Sequence, residues 1–480
     1  MPWERPRRPG LRSRRRVLLA GAAAASGSAL AAACAGPGPG TGGAPAPAGQ
    51  STARATLTWL ARTDMGPVMS DWHEQHAAGF KAQQPDVTVE LSAATSGDYN
   101  TKATAMFAGG TPPDVIGNYA GGFGTFVVNN WLADLLPYAN RDKFDLKTFE
   151  PSALDAIRRE GKLLGLPVGH NPWVLFVNRS LLQERGVAPP PASWRDKRWN
   201  LEALVKAAQP LTTRGADPAT AHWGVVHPEG QLATQAIWLW GADPFNAQGG
   251  PEKSSAYQTG KVTQVHFTQP KVVEAVQANV DLVHRLRVAP TPAEQREFAA
   301  GRATPLHTGR LGFWAAGAWS LRNLKQSEVP FKWGIAPLAN GLGATAANTT
   351  GLFNDSFHVV RGTKAAEAAY QFVAFLATGE RARGYTQGAG TFPANRALYD
   401  GWYDETLKIP GFALSRAELR DVMEGAFPIG YPSPGKTLHR QRDYDRAFAQ
   451  GFDPIKNGDQ PASIGLREVQ TQIEAVSREG

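Results

Sequence analysis

Short apolar runs alternate with amphipathic segments along the chain after residue 54. The run at 55–61 predicts a buried strand, and residues 67–83 predict a helix because apolar and aromatic side chains recur there four apart. The further strands predicted from apolar runs are 87–91, 113–116, 163–167, 174–177, 222–226, 311–315, 332–336 and 356–360. The further predicted helices are 98–108, 200–211, 271–287, 365–376, 417–425, 442–451 and 464–477. Strands that alternate with helices predict an α/β fold built on a parallel sheet that is covered on both faces.

The composition indicates a folded body with more than one hydrophobic core. A chain of 480 residues exceeds the roughly 250–300 residues at which single cores stop growing, so at least two lobes are expected. The chain is 42% hydrophobic and 19% charged, which excludes a mostly disordered chain, a coiled coil and a collagen. The formal net charge of +8 would suggest nucleic-acid binding, but seven arginines and one glutamate in residues 1–33 supply +6 of it. The remaining 447 residues carry only +2, so no nucleic-acid partner is expected.

Residues 1–33 have the basic, apolar and small-residue parts of an export signal. SRRRVLL at 13–19 resembles the twin-arginine (Tat) export pattern, and the apolar run at 17–33 is shorter than the ~20 residues that a membrane span needs. LAAAC at 30–34 resembles the lipobox of bacterial lipoproteins, in which Cys34 becomes the lipid-bearing N-terminus, although Leu30 lies one place further upstream than usual. We therefore expect a signal peptide at 1–33, a flexible Gly/Pro/Ala linker at 34–53 and a membrane anchor on Cys34. The alternative is a plain secreted protein with a stray cysteine.

Two motifs associated with phosphate or metal binding are incomplete. GYPSPGKT at 430–437 matches the phosphate-binding loop pattern, but Pro432 and Pro434 lack the backbone N–H groups that such a loop offers to phosphates. We interpret this segment as a loop with a different role. His73 and His76 are three apart, whereas the zinc-protease motif needs histidines four apart. Cys34 is the only cysteine in the chain, so the body has no thiolate site, and no catalytic group, metal or cofactor is predicted.

Tryptophan is the residue type that indicates a ligand. Fourteen tryptophans occur, and five of them lie next to turns or polar residues, namely Trp59, Trp173, Trp238, Trp240 and Trp319. Core packing is the ordinary role of any one of them, because Trp is usually highly buried. Trp also stacks on the apolar face of a sugar ring while its N–H group contacts a hydroxyl. We therefore expect one or two of the five to line a ligand cleft.

Several segments occur in an order that is itself informative. They are AGGTPPDV at 108–115, WLADL at 131–135, GKLLGLP at 161–167, FVNR at 176–179, FAAGR at 298–302, LGFWAAGAW at 311–319, WGIAPL at 333–338 and GTFPAN at 390–395. This ordered set, over residues 55–478, resembles the bacterial extracellular solute-binding proteins of ABC importers, in the carbohydrate-binding group (family 1) that includes the maltose-binding protein. Two positions depart from the family pattern, since Val177 replaces the usual Tyr and Ala318 replaces the usual Pro.

The resemblance implies a two-lobed periplasmic-binding-protein fold of type II, in which hinge segments cross between two α/β lobes and a ligand cleft lies between the lobes. Lobe one would comprise 54–168 and 350–400, and lobe two 169–345 and 401–480. A ligand that contacts both lobes only in the closed form would drive closure. The implied function is that of an extracytoplasmic receptor, a monomer held at the cell membrane by its lipid. It would hand a di- or oligosaccharide to the membrane permease of an ABC transporter and catalyse no reaction.

The ligand-binding positions of the family carry over to strand ends and to the crossing segment. The tryptophan of the family's Gly-Pro-Trp segment falls on Trp319, which is the expected stacking residue. The other expected ligand contacts are Arg62, Asp64, Asn118, Tyr119, His170, Asn171, Trp173, Trp238, Asn354, Asp355 and Tyr431.

Three other interpretations stay open. An anchored enzyme acting on glycans would need two carboxylates roughly 5–10 Å apart across the cleft. A chemosensory or adhesion protein could keep the binding fold without an importer. The same fold could also take a non-sugar solute: a glycerophosphodiester site should gather arginines or backbone N–H groups, an oligoamine site carboxylates, and an iron site tyrosines.

Overall fold

The computed structural model describes residues 54–119, 121–215, 217, 220–226, 236–327, 329–341 and 349–478. The predicted signal peptide, the linker and the lipid site at Cys34 lie outside these residues. None of the helices in this described part combines the length and the apolar character that a bilayer crossing needs.

The strands form one large mixed sheet and a separate two-stranded ribbon. They are β1 (Ala55–Arg62), β2 (Val87–Ala94), β3 (Val115–Gly117), β4 (Arg158–Arg159), β5 (Lys162–Leu163), β6 (Leu166–Asn178), β7 (Trp223–Val226), β8 (Leu311–Gly317), β9 (Trp333–Ala336), β10 (Thr350–Val359) and β11 (Gly430–Pro432). The large sheet has the order β2-β1-β3-β10-β6-β8-β7, with β11 paired to β10 and β9 paired to β6. The ribbon is β4 with β5.

The prediction of a parallel sheet is wrong for the middle of the sheet. Parallel pairs join β1 to β2 and to β3, β7 to β8, and β10 to β11. Strand β10 is antiparallel to β3 and β6, and β6 is antiparallel to β8 and β9. The reason is that the adjacent long strands β6 and β10 run in opposite directions, so the pairs that they form with each other and with β3, β8 and β9 are antiparallel.

Strand β6 is one continuous strand where the sequence predicted two. All 13 of its residues are buried. Its first half pairs with β10 as far as Pro172, and its second half, from Trp173 on, pairs with β8 and β9. The segment around Asn171 and Pro172 resembles a turn in composition, but Pro172 lies where β6 changes partners and its missing N–H group is therefore tolerated. Similarly, β10 begins at Thr350, six residues before the predicted strand.

Several helices pack their buried apolar residues against the sheet, among them Ala366–Leu376 against β10. The helices of the described residues are, in chain order, Pro67–Gln83, Tyr99–Ala108, Phe123–Val128, Leu136–Arg141, Pro151–Asp155, Arg179–Glu184, Leu201–Ala208, Ala256–Thr259, Pro270–His284, Pro292–Phe298, Leu321–Gln326, Ala366–Leu376, Gly379–Ala389, Tyr399–Leu407, Arg416–Glu424, Pro434–Thr437, Gln441–Lys456 and Ala462–Arg478. Short 3-10 helices are Leu146–Thr148, Pro251–Lys253, Pro305–Thr308, Ala318–Ser320, Arg396–Leu398 and Phe427–Ile429. The segment 430–437, which we interpreted as a loop, forms β11 and a short helix.

The described residues form two large hydrophobic cores and one small cluster around Trp223 and Leu311. The first contains apolar residues between 57 and 168 and between 357 and 394, and the second contains apolar residues between 173 and 473. The two long strands enter both cores: β6 contributes Val168 to the first and Trp173 to the second, and β10 contributes Phe357 to the first and Leu352 to the second. The architecture is therefore a two-lobed α/β fold in which β6 and β10 connect the lobes.

Candidate ligand site

Charged side chains gather where β1 and β10 approach the segment after β11. We call this group the polar cluster and define it as Arg62, Asp64, Arg322, Asp355, Tyr385 and Lys436. Sequence analysis predicted three of its members, Arg62, Asp64 and Asp355. The other three come from helices that are far from β1 along the chain.

Arg62, the last residue of β1, forms an ion pair with Asp64. The Arg62 Nε atom lies 2.5 Å from Asp64 Oδ1. The other carboxylate oxygen of Asp64 accepts hydrogen bonds from Ser96, 3.0 Å from its backbone N and 2.6 Å from its Oγ. Partial burial raises the pKa of Asp64, but the hydrogen bonds from Ser96 and Arg62 outweigh it and lower the pKa to about 2. This carboxylate is charged at neutral pH and has free faces toward solvent.

Lys436 is a buried ammonium group whose donors are all used. Its Nζ donates to the backbone O of Asn118 at 2.8 Å, to the backbone O of Tyr119 at 2.7 Å and to Asp355 Oδ1 at 3.1 Å. Burial lowers the pKa of Lys436, and the Asp355 carboxylate partly offsets this effect. The Tyr385 hydroxyl donates to the other oxygen of Asp355 at 3.2 Å. The cluster thus binds a cation of the second lobe to backbone carbonyls of the first.

Asn118 and Tyr119 meet the cluster through their carbonyl groups and not through their side chains. The Asn118 Nδ2 group donates to the backbone O of Asn354 at 3.4 Å. The Tyr119 hydroxyl lies 3.5 Å from His73 Nε2, inside the first core. Both side chains are buried, so the structure places them behind the surface that a ligand would touch in this conformation.

Two glycines allow the helix Pro434–Thr437 to approach the first lobe this closely. Gly121 has φ +82°, and a Cβ atom there would overlap the carbonyl oxygen of Gly435. A Cβ atom on Gly124 would overlap the carbonyl oxygen of Thr437. The absence of side chains at these positions lets the backbone at Gly121 and Gly124 contact the backbone of the helix Pro434–Thr437. This contact places Lys436 within hydrogen-bond distance of its acceptors.

Trp319 lies at the start of the segment that carries Arg322. It is half-buried in the 3-10 helix that follows β8, and its ring meets the Phe353 ring edge-on at 4.6 Å between centroids. A Cβ atom on Gly317 would overlap the Trp319 ring, so glycine leaves room for the ring to lie over β8. Arg322 follows one turn later in the helix Leu321–Gln326. Trp319 is thus partly exposed, as a sugar-stacking residue requires, and lies three residues before a charged side chain of the polar cluster.

Three predicted residues of the crossing strands are tied into the protein by hydrogen bonds. His170 Nε2 lies 2.9 Å from Ser152 Oγ, and burial lowers the pKa of His170 to about 3. Asn171 Oδ1 accepts from the backbone N of Phe392 at 2.9 Å. Asn354 Nδ2 donates to the backbone O of Ala153 at 2.9 Å. These side chains connect the crossing strands to their surroundings.

The remaining predicted aromatic residues lie in or beside the second core. Trp173 is fully buried on β6. Trp238 is also fully buried, and its Nε1 donates to Asp243 Oδ2 at 2.7 Å. Tyr431 is half-buried with its ring centroid 6.3 Å from that of Trp238. Burial raises the pKa of Asp243 to about 6, although three donors, including Trp238, oppose this effect.

Tyr431 lines a cavity of about 880 Å³ that is separate from the polar cluster. The cavity is bounded by residues of both lobes, among them Leu164, Tyr257 and Leu352, and by no residue of the polar cluster. The predicted site residues are therefore divided between the cluster, the crossing strands and this cavity. Among the residues that the structure describes, no three His, Cys, Asp or Glu side chains come together in a way that could hold a metal ion.

Sequence reasoning missed Arg322, Tyr385 and Lys436. Lys436 lies in the segment whose phosphate-loop match fails at Pro432 and Pro434, and its acceptors are carbonyl and carboxylate oxygens. Arg322 follows the predicted Trp319 by three residues, so a search one helical turn beyond a predicted stacking residue would have found it.

The fold is that of a two-lobed solute-binding protein. The chain belongs to the bacterial extracellular solute-binding protein family, whose sequence profile matches residues 64–380. The structure superposes on an ABC substrate-binding protein from Listeria monocytogenes, solved in complex with cycloalternan, with a TM-score of 0.69 at 21% identity over 88% of this chain and 99% of that chain. It superposes on UspC of Mycobacterium tuberculosis with a TM-score of 0.66 at 19% identity over 88% of this chain and 99% of that chain. A binding protein of Brucella abortus is 21% identical over 343 residues, which are 68% of this chain and 73% of that protein. The predicted family and the two-lobed fold are confirmed.

Proposed function

We propose that this protein is the lipid-anchored receptor of an ABC importer and that it captures a carbohydrate, a di- or oligosaccharide, between its lobes. The observation that carries the proposal is the half-buried Trp319, whose ring contacts Phe353 of β10, two residues before Asp355 of the polar cluster. A stacking ring with charged hydrogen-bonding groups next to it suits a molecule that has apolar faces and many hydroxyls. The sugar complexes of structural neighbours support it, including the one with cycloalternan and a Thermotoga maritima protein bound to maltose.

In this proposal the ligand stacks on Trp319 and its hydroxyls contact Arg62 and Asp64. The lobes would follow the predicted boundaries, with 54–168 and 350–400 in one and 169–345 and 401–480 in the other. Binding to both lobes at once would favour the closed form, which the permease would recognise. Lipid on Cys34 would hold the protein at the membrane through the linker at 34–53. The protein would release its ligand unchanged and catalyse no reaction.

The experiment is a thermal shift assay on the protein without residues 1–34, against mono-, di- and oligosaccharides with glycerophosphodiesters and polyamines as controls. A ligand at a hundred times its Kd should stabilise the fold by about 2.7 kcal/mol, which is a readily visible rise in Tm. A saturable rise with one sugar class, with no product formed, would support the proposal. A rise only with a control compound would retain the fold and reject the carbohydrate, and conversion of a sugar to products would replace the receptor by an enzyme.

A further inference from the structure

The charges of the polar cluster do not balance. Arg62 is paired with Asp64, with 2.5 Å between their closest charged atoms. Lys436 is paired with Asp355 at 3.1 Å. Arg322 is the third cation, and no third carboxylate belongs to the cluster. One positive charge in the candidate ligand site is therefore not neutralised by an ion pair.

Arg322 also lacks hydrogen-bond partners among the residues that the structure describes. It is half-buried, and burial and the neighbouring Arg62 lower its pKa, while Tyr385, Asp64 and Asp355 raise it through space. No ion pair joins its guanidinium to a carboxylate among the residues that the structure describes. A guanidinium carries five N–H donors in a planar fork, and leaving it partly desolvated without an acceptor is unfavourable.

The position of Arg322 next to Trp319 fits a role toward a ligand. Both residues border Gly390, where an added Cβ atom would lie 2.9 Å from the Trp319 carbonyl oxygen and 3.0 Å from the Arg322 backbone N. The same short segment thus supplies an aromatic ring and a free cation. An aromatic face binds the ring of a sugar, and a guanidinium binds carboxylate or phosphate oxygens in a two-point contact that a hydroxyl matches poorly.

We propose that Arg322 binds an anionic group, a carboxylate or a phosphate, on the carbohydrate that stacks against Trp319. The carbohydrate part of this statement rests on the proposed function, whereas the anionic part rests on the unpaired guanidinium. The ligand class is therefore an acidic saccharide, such as a uronic-acid-containing or phosphorylated oligosaccharide, in preference to a neutral one.

The test compares two matched pairs of probes by isothermal titration calorimetry. Cellobiouronic acid and cellobiose differ by one carboxylate, and trehalose 6-phosphate and trehalose differ by one phosphate, so the two pairs separate the two anionic groups. In at least one pair the acidic member should bind roughly 10–100-fold more tightly than its neutral partner, which is the range for hydrogen bonds to a charged group. That preference should weaken at high salt.

Variants identify the residue responsible. Arg322→Gln should bring the affinity of the acidic probe to that of its neutral partner, and Arg322→Lys should keep part of the preference because it keeps the charge but not the fork. The matched control is Lys325→Gln, which removes the same charge from an exposed position of the same helix and should leave the preference unchanged. The Tm of Arg322→Gln should equal or exceed that of the unaltered protein, since the substitution removes no hydrogen bond within the protein.

The outcomes distinguish this inference from the proposed function. Tight binding of a neutral probe without preference for its acidic partner would overturn the inference and leave the carbohydrate receptor intact. Binding of neither acidic probe and no binding of inorganic phosphate would also overturn it. An acidic preference that survives Arg322→Gln would also overturn it. Binding of inorganic phosphate that is lost in Arg322→Gln, with no response to any saccharide, would support the anion site and reject the carbohydrate.

Discussion

Replacing Lys436 by methionine tests how the two lobes are held together in the polar cluster. Lys436 is only 9% exposed, and its ammonium group has three acceptors, of which Asp355 is charged. Methionine keeps much of the apolar stem but removes the charge and all three donors. The Asp355 carboxylate would keep the Tyr385 hydroxyl as its remaining partner.

The magnitude follows from the burial of both partners. The side chains of Lys436 and Asp355 are 10% and 14% exposed, so solvent can replace little of what is lost. Breaking a buried ion pair by removing one partner destabilises a protein by about 3–5 kcal/mol, because the other charge stays buried without compensation. Two backbone carbonyls also lose a donor. We expect Lys436→Met to lower the free energy of unfolding by about 3–5 kcal/mol.

The assay is urea denaturation followed by tryptophan fluorescence. The matched control is Lys408→Met, since Lys408 also lies 3.2 Å from a carboxylate, that of Glu405, but is 70% exposed. That variant should change the free energy of unfolding by less than about 1 kcal/mol. If both variants lose the same small amount, below about 1 kcal/mol, the reasoning on burial is refuted.

Three further changes test other parts of the structure. Trp319→Ala should weaken binding of the carbohydrate identified by thermal shift about tenfold or more without unfolding the protein, and unchanged affinity would remove Trp319 from the site. Gly121→Ala should lower the free energy of unfolding by about 2–4 kcal/mol, because alanine disfavours the positive φ at this position and its Cβ atom would overlap the Gly435 carbonyl oxygen. The control is Gly110→Ala, at φ +72° with no atom near the added Cβ. It should lower the free energy of unfolding by only about 1–2 kcal/mol. Burial lowers the pKa of His170 to about 3. Below about pH 6.5 the unfolded chain therefore binds a proton that the folded protein does not. This lowers the free energy of unfolding by about 1.4 kcal/mol for each pH unit by which the pH falls. His170→Gln should reduce the loss of stability between pH 7 and pH 5 in urea denaturation, and an unaltered pH dependence would contradict the burial of a neutral His170.

The parts of the fold that depend on local periodicity could be predicted from the sequence. The helix at 67–83 has the predicted bounds because its apolar residues recur along one face. The first half of β10 could not be predicted, since Asn354 and Asp355 are poor strand formers. Asn354 is accommodated there by its hydrogen bond to Ala153, 201 positions away in the sequence. Periodicity contains no information on partners at such separations.

The sequence predicted the site residues that lie at strand ends. It did not predict those that helices distant in the sequence contribute to the site. Arg62 and Asp64 were expected because they follow β1, and ligands lie at the carboxyl ends of such strands. Lys436 is 318 positions from Asn118, and its approach depends on the close contact between Gly121 and the carbonyl of Gly435. The sequence analysis interpreted 430–437 as a loop, but a single sequence does not reveal that this segment contacts Gly121.

Lys436 and Arg322 carry the same charge in one cluster but have opposite consequences for closure by a ligand. Lys436 has its three acceptors within the protein itself. A ligand shifts a population only by the difference between its affinities for the two forms, so contacts already made without it add nothing to that difference. Arg322 has no such partner among the described residues, so an anion bound there makes contacts that the protein's own residues do not supply. The apparent affinity of any ligand scales with the fraction of protein in the competent form. Lys436→Met should therefore weaken the binding of acidic and neutral saccharides by the same factor. Arg322→Gln should weaken the binding of acidic saccharides alone. Titration of both variants with one matched pair of probes separates the two roles.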